Sequence, residues 1–165
     1  MENIILIGMP ASGKSTVGIV VAKRLGYDFI DSDLLIQRQE KKLLKEIIEE
    51  KGMDGFLEIE NQVNKDIKAD HAVIAPGGSV IYCEEAMQHL KENGIVVYLQ
   101  LPYETIKNRI KDTKERGVVL RKGQDLRMLY EERKVLLEKY ADIIICEDRQ
   151  SLEETIQEVL DHIRK

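Results

Sequence analysis

The sequence predicts an α/β fold, a doubly wound parallel sheet of five strands with helices on both faces. Three observations lead there. Short apolar runs at 4–7, 27–30, 72–75, 95–101 and 142–146 alternate with longer stretches whose apolar residues fall at helical spacing. The first run, Ile4 to Ile7, opens into Gly8, from which the residues read G-x-x-x-x-G-K-S, with Gly8, Gly13, Lys14 and Ser15 in the fixed positions of a P-loop. The chain has 165 residues, a length that suits one domain with a real core.

The P-loop spacing has a physical reason. A loop that wraps a polyphosphate turns its amides inward, which glycine permits and β-branched residues resist. The backbone of Gly8, Ala11, Ser12 and Gly13 is therefore expected to cradle a polyphosphate. The helix starting near Gly13 adds its free N–H groups, Lys14 sets an ammonium on the terminal phosphates, Ser15 joins a Mg²⁺ shell, and Thr16 adds a phosphate contact. A chance match in a glycine turn is the alternative. The strand-like run before the loop, and the helix after it with Val17, Val20, Val21, Ala22 and Leu25 at helical spacing, argue against it.

After Gly26, the strand Tyr27 to Ile30 leads into Asp31-Ser32-Asp33. Strand alternation, if it persists, sends both carboxylates the same way at the edge where open α/β sheets bind ligands. Either acid can hold Mg²⁺ or orient and deprotonate a hydroxyl; either can equally cap a helix beginning at Leu34. From 34 to about 69 the text is helical and charged, broken near Gly52 and Gly55, with apolar stripes at Leu43, Leu44, Ile47, Ile48 and at Phe56, Ile59, Val63, Ile67. Such an insertion is expected to form a flap over an acceptor site.

The third strand ends in Pro76-Gly77-Gly78-Ser79, where two glycines allow a ligand close to the backbone or simply turn the chain. A short helix, Glu84 to Glu92, closes at Asn93-Gly94, which have the residues of a C-terminal cap. Pro102 opens a helix to about Asp112. The basic stretch from 113 to 124 is either a solvated loop or a lid whose arginine reaches a transferring phosphate. Asp125 to Tyr140 reads as a long helix, and Ser151-x-x-Glu154 is a capping box for the last one.

The net charge of −5 argues against a nucleic-acid surface, and no apolar run approaches the roughly 18 residues that suggest a membrane span. Cys83 and Cys146 lack metal-ligand spacing and are expected to be buried or half-buried thiols. His71, His89 and His162 stand apart in predicted surface segments. The expectation is a cytoplasmic monomer with a small-molecule partner.

Taken together, GMPASGKSTVG at 8–18, FIDSD at 29–33, GFLEIE at 55–60 and ERKVLLEKYAD at 132–142 resemble the shikimate kinases over nearly the whole chain. The resemblance implies ATP-dependent phosphorylation of shikimate to shikimate 3-phosphate, with ATP and Mg²⁺ as cofactors and a place in aromatic amino acid biosynthesis. It gives Asp33 the acceptor hydroxyls and Asp31 the Mg²⁺ shell. Gly77 and Gly78 match the glycines that contact the acceptor, with Ser79 in place of a third. Arg116 matches the lid arginine, Arg133 the arginine on the acceptor carboxylate, and Arg109 is implied near the adenine. One departure bears on the acceptor: Leu57 follows Phe56 where the family has an arginine on that carboxylate, a forked contact leucine cannot make. The lid also reads RGVVL where the family has Arg-Pro-Leu, and Val135 stands at a usual proline. A nucleotide-binding switch is disfavoured because Asn64-Lys65 does not continue into the guanine-reading N-K-x-D; an ATP-binding pseudokinase stays open.

Overall fold

The computed structural model describes residues 2–110, 118 and 120–165. Five strands form one parallel sheet: β1 (Asn3–Ile7), β2 (Asp28–Asp31), β3 (Ala72–Ala75), β4 (Gly94–Gln100) and β5 (Ile143–Cys146), in the order β2-β3-β1-β4-β5. The P-loop strand is central, which is why its five residues are all buried. Parallel strands end on one common edge. The P-loop after β1, the Asp31 end of β2 and the Pro76-Gly77-Gly78 turn after β3 therefore meet there.

Alternation along β1 divides the core in two. Ile4 and Leu6 pack with Val17 and Val21 of α1 (Lys14–Leu25) and with Ile156, Val159 and Leu160 of α7 (Leu152–Ile163). Ile5 and Ile7 face the other way. They pack with Met87 and Leu90 of α4 (Glu84–Glu92), Ile106 of α5 (Tyr103–Arg109), and Leu129 and Leu137 of α6 (Leu126–Tyr140). Asp125 caps α6 through the Met128 N–H, and α7 begins with the expected capping box, Ser151 and Glu154 each bonding the other's backbone N–H.

Between β2 and β3 run α2 (Ser32–Glu40) and α3 (Leu44–Lys65), which close a small core of their own from Ile36, Ile47, Phe56 and Val63. Gly52, at φ 73°, kinks α3, while the helix runs on through Gly55. Four details correct the sequence reading. The helix after β2 starts at Ser32, not Leu34, because Asp31 accepts from the Asp33 and Leu34 N–H groups and so serves as its N-cap. Gly94 opens β4 instead of capping α4, since a Cβ there would lie 2.6 Å from the Asn3 carbonyl oxygen of the neighbouring strand. Cys146 is exposed, at the end of an edge strand, whereas Cys83 is buried. His89 is half-buried and its ring Nε2 bonds the Ile67 carbonyl at 2.7 Å, while His71 and His162 lie at the surface.

Candidate active site

The P-loop holds its backbone in the shape the sequence anticipated. Gly13, at φ 88°, is the N-cap of α1, and Ala11 sits at φ 68°, in the left-handed region that a side chain rarely adopts. Arg109 bonds the Ala11 carbonyl through Nη1 at 3.0 Å, which ties α5 to the loop at its strained residue. Lys14 donates from Nζ to the Gly8 and Met9 carbonyls, each at 3.0 Å. Burial lowers its pKa to about 8, against the pull of Asp33 foremost. Ser15 and Thr16 are exposed at the mouth, and Ser12 is buried inside the loop.

A cavity of about 320 Å³ opens over this loop, of a size that suits a phosphate-bearing ligand, lined by Gly13, Lys14, Ser15, Thr16, Asp31 and Asp33. Asp31 and Asp33 therefore do converge, although not by strand alternation. The strand ends at Asp31 and the first turn of α2 carries Asp33. The Asp33 carboxyl rises to about 6, first because it is buried and then because Asp31 is near, with Lys14 opposing.

Deeper in, a smaller pocket of about 30 Å³ continues the same cleft, sharing Pro10, Asp33, Gly77 and Gly78 with the larger one. Its remaining walls are Leu44, Met53 and Phe56 of α3 with Glu60, Ser79 and Arg133. The glycines are needed for close approach. A Cβ on Gly77 would stand 2.7 Å from Asp33 Oδ1 and 2.8 Å from Glu60 Oε2, and one on Gly78 would stand 3.1 Å from Arg133 Nη1.

Arg133 is 2% exposed and lies over the Tyr82 ring at 5.5 Å, and its Nε has no hydrogen-bond partner among the described residues. A buried guanidinium with an unused donor has the chemistry to receive an anion. Leu57 does not line this pocket. It is half-buried against the core and faces a neighbouring surface groove with Tyr82 and Cys83. Arg116, with residues 113–117 and 119 of the 113–124 stretch, lies outside the described residues.

Two acids here were missed in the sequence. Glu60 is fully enclosed; burial first, and Asp33 after it, lift its carboxyl to about 7, while the Ser79 hydroxyl bond draws it down. A signal for it existed, because a glutamate falls between Phe56 and Val63 on the apolar stripe of α3. Glu147 follows β5. Its Oε2 is buried without a partner among the described residues, and burial raises the group to about 7 against Arg109 and Lys14. Nothing in its sequence neighbourhood marks it.

Fold and site together define an α/β protein of the P-loop class, in which the loop opens into a cleft continued by a smaller pocket lined by Asp33, Glu60 and Arg133. The comparisons with known proteins narrow the class. The family model for shikimate kinase matches residues 10–164. A shikimate kinase of Persephonella marina is 36% identical over 99% of this chain and 100% of its own length. One of Clostridium botulinum strain 657 is 42% identical over 88% of each. The structure of Acinetobacter baumannii shikimate kinase in complex with shikimate superposes with a TM-score of 0.88 at 33% identity, covering 99% of this chain and 93% of that one. The chain belongs to the shikimate kinase family. It is thus an ATP-using small-molecule kinase with an alcohol acceptor, and neither the switch nor the pseudokinase reading is favoured.

Proposed function

We propose that the protein transfers the γ-phosphoryl group of ATP to the 3-hydroxyl of shikimate. The observation that carries the acceptor choice is Arg133: a buried guanidinium with a free donor, at the closed end of a cleft whose open end is the P-loop. It supports an acceptor with a carboxylate at one end and hydroxyls directed back toward Lys14.

The division of labour follows from placement. The amides of Gly8 to Gly13 and the N-terminal end of α1 bind the phosphates, with Ser12 and Thr16 beside them. Lys14 leaves the Gly8 and Met9 carbonyls and sets its charge on the terminal phosphates, stabilising the negative charge that shifts during transfer. Asp33 accepts the acceptor hydroxyl and takes its proton, a task suited to a carboxyl lifted to about 6, which is ionised yet basic at neutral pH. Gly77, Gly78 and Ser79 form the backbone wall against the acceptor ring. Arg109 steadies the loop on the adenine side.

Mg²⁺ fits the donor set. Among the described residues no group of three or more His, Cys, Asp or Glu could enclose a metal, but Mg²⁺ at a phosphate site needs only one or two protein oxygens. The Ser15 hydroxyl and Asp31 line the cavity where they would hold it, directly or through water. Bound there, Mg²⁺ neutralises phosphate charge. The α2–α3 insertion, about 34–69, serves as the flap that excludes water from the acceptor.

Shikimate-dependent ADP release tests the reading. The folded protein should release ADP from ATP only when shikimate is present, and Asp33→Asn should abolish that release while ATP affinity holds. ADP release that is indifferent to shikimate would refute it.

A further inference from the structure

Glu147 is an enclosed acid that the reading above leaves without a task. It follows β5, and its N–H donates to the Gln100 carbonyl at 2.9 Å, which carries the β4–β5 ladder one residue further. Alternation sets its side chain on the face of Ile145, which packs with Val17 and Val21 of α1. The acid therefore stands behind the phosphate loop that leads into α1, on the opposite side of β1 from the inner pocket, which lies toward β3.

Two cations, not a hydrogen bond, hold its charge. Oε2 is buried and accepts from no donor among the described residues. The charges that act on the carboxyl are Arg109 from α5 and Lys14 from α1. Burial raises it to about 7, with Arg109 and then Lys14 drawing it down. Glu147 as a whole is half-buried, near enough to the surface to exchange a proton with solvent.

A nucleotide changes that balance. Its phosphates bring negative charge into the loop and take up part of the Lys14 charge, so the acid gains a repulsion and loses an attraction at once. Both changes favour the neutral form. On the premise of the kinase reading, in which Lys14 serves the phosphates, we infer that nucleotide binding is proton-coupled through Glu147: its carboxylate takes one proton from solvent as the phosphates enter and returns it when they leave. Proton and nucleotide then promote each other's binding by the same factor. Affinity is highest and level below about pH 7, where the acid of the empty site is already protonated, and falls as the pH rises above it.

The test is calorimetric titration with ADP at about pH 7.5, in two buffers of different ionisation enthalpy, HEPES and Tris, for wild type and Glu147→Gln. The difference in heat between buffers counts the protons exchanged. For a tenfold coupling, wild type should take up about half a proton more per ADP than the variant, and its Kd should rise about 5-fold more between about pH 6 and 8. ADP and Lys14 titrate in both proteins, so the difference reports Glu147 together with its coupling to Lys14. No greater uptake by wild type, or Kd curves that run parallel, overturns the inference and leaves the kinase reading intact. If Glu147→Gln does not fold, Glu147→Met takes its place under the same criteria. Folded wild type that binds no ADP overturns both.

Discussion

The buried Glu60 makes a prediction about stability that is independent of catalysis. Its carboxyl titrates at about 7 in the folded chain against an ordinary value of 4.5, chiefly because burial penalises the charged form. A raised folded pKa means that the fold prefers the protonated acid. The associated stability is fully present below pH 4.5 and is lost as the pH rises through about 7. The difference between the two values corresponds to about 3 kcal/mol in all, of which about 2 kcal/mol is lost between roughly pH 5.5 and 8.5. Glu60→Gln removes the titration and keeps an oxygen for the Ser79 hydroxyl. Urea unfolding of both proteins across that window should give curves that diverge, the variant gaining on wild type by about 2 kcal/mol, or roughly 4 to 8 °C in Tm. Glu147, also raised, titrates in both proteins and cancels, so the difference between the curves reports Glu60 together with its coupling to Asp33. Parallel curves would refute the reasoning.

Other expectations are more direct. Lys14→Ala should fold normally and lose at least ~100-fold in turnover, the scale of one lost charge-stabilising donor; near-normal turnover would remove Lys14 from the mechanism. Gly77→Ala should retain ATP binding by calorimetry but lose shikimate turnover, since the new methyl group would collide with Asp33 Oδ1 and Glu60 Oε2 at 2.7 and 2.8 Å; an unaffected KM for shikimate would show that the pocket lies elsewhere. Arg133→Met should raise KM for shikimate by about 10- to 150-fold and leave KM for ATP alone, as expected for one lost charged hydrogen bond. Leu57→Arg should lower KM for shikimate if the groove beside Tyr82 lets a guanidinium reach the acceptor, and no change would mean that Arg133 holds the carboxylate without it.

Much of this was legible in the chain. The P-loop could be read because its function constrains backbone shape, and backbone shape constrains residue type at fixed spacing. Gly77-Gly78 and Asp31-Ser32-Asp33 were legible for a related reason, lying where strands end. The errors fell on boundaries. The helix after β2 was read as starting at Leu34 but starts at Ser32, capped by Asp31, and Gly94 looked like a helix cap but begins β4; in each case a contact with a distant segment or the next helical turn outweighed local pattern.

By itself the sequence determined the sheet, its five strands and the phosphate loop, because these rest on local periodicity and on glycine at turns. Only the tertiary structure decided which polar groups share the small pocket beside the P-loop. Glu60 from α3, Ser79 after β3 and Arg133 from α6 are 19 residues apart at the nearest, and no local pattern joins them. Their chemistry comes from being enclosed together. Burial lifts Glu60 to about 7, Ser79 orients it, and the Arg133 guanidinium keeps a free donor. Desolvation belongs to the packed molecule, so a residue's role in such a pocket becomes visible only when the fold has excluded water around it.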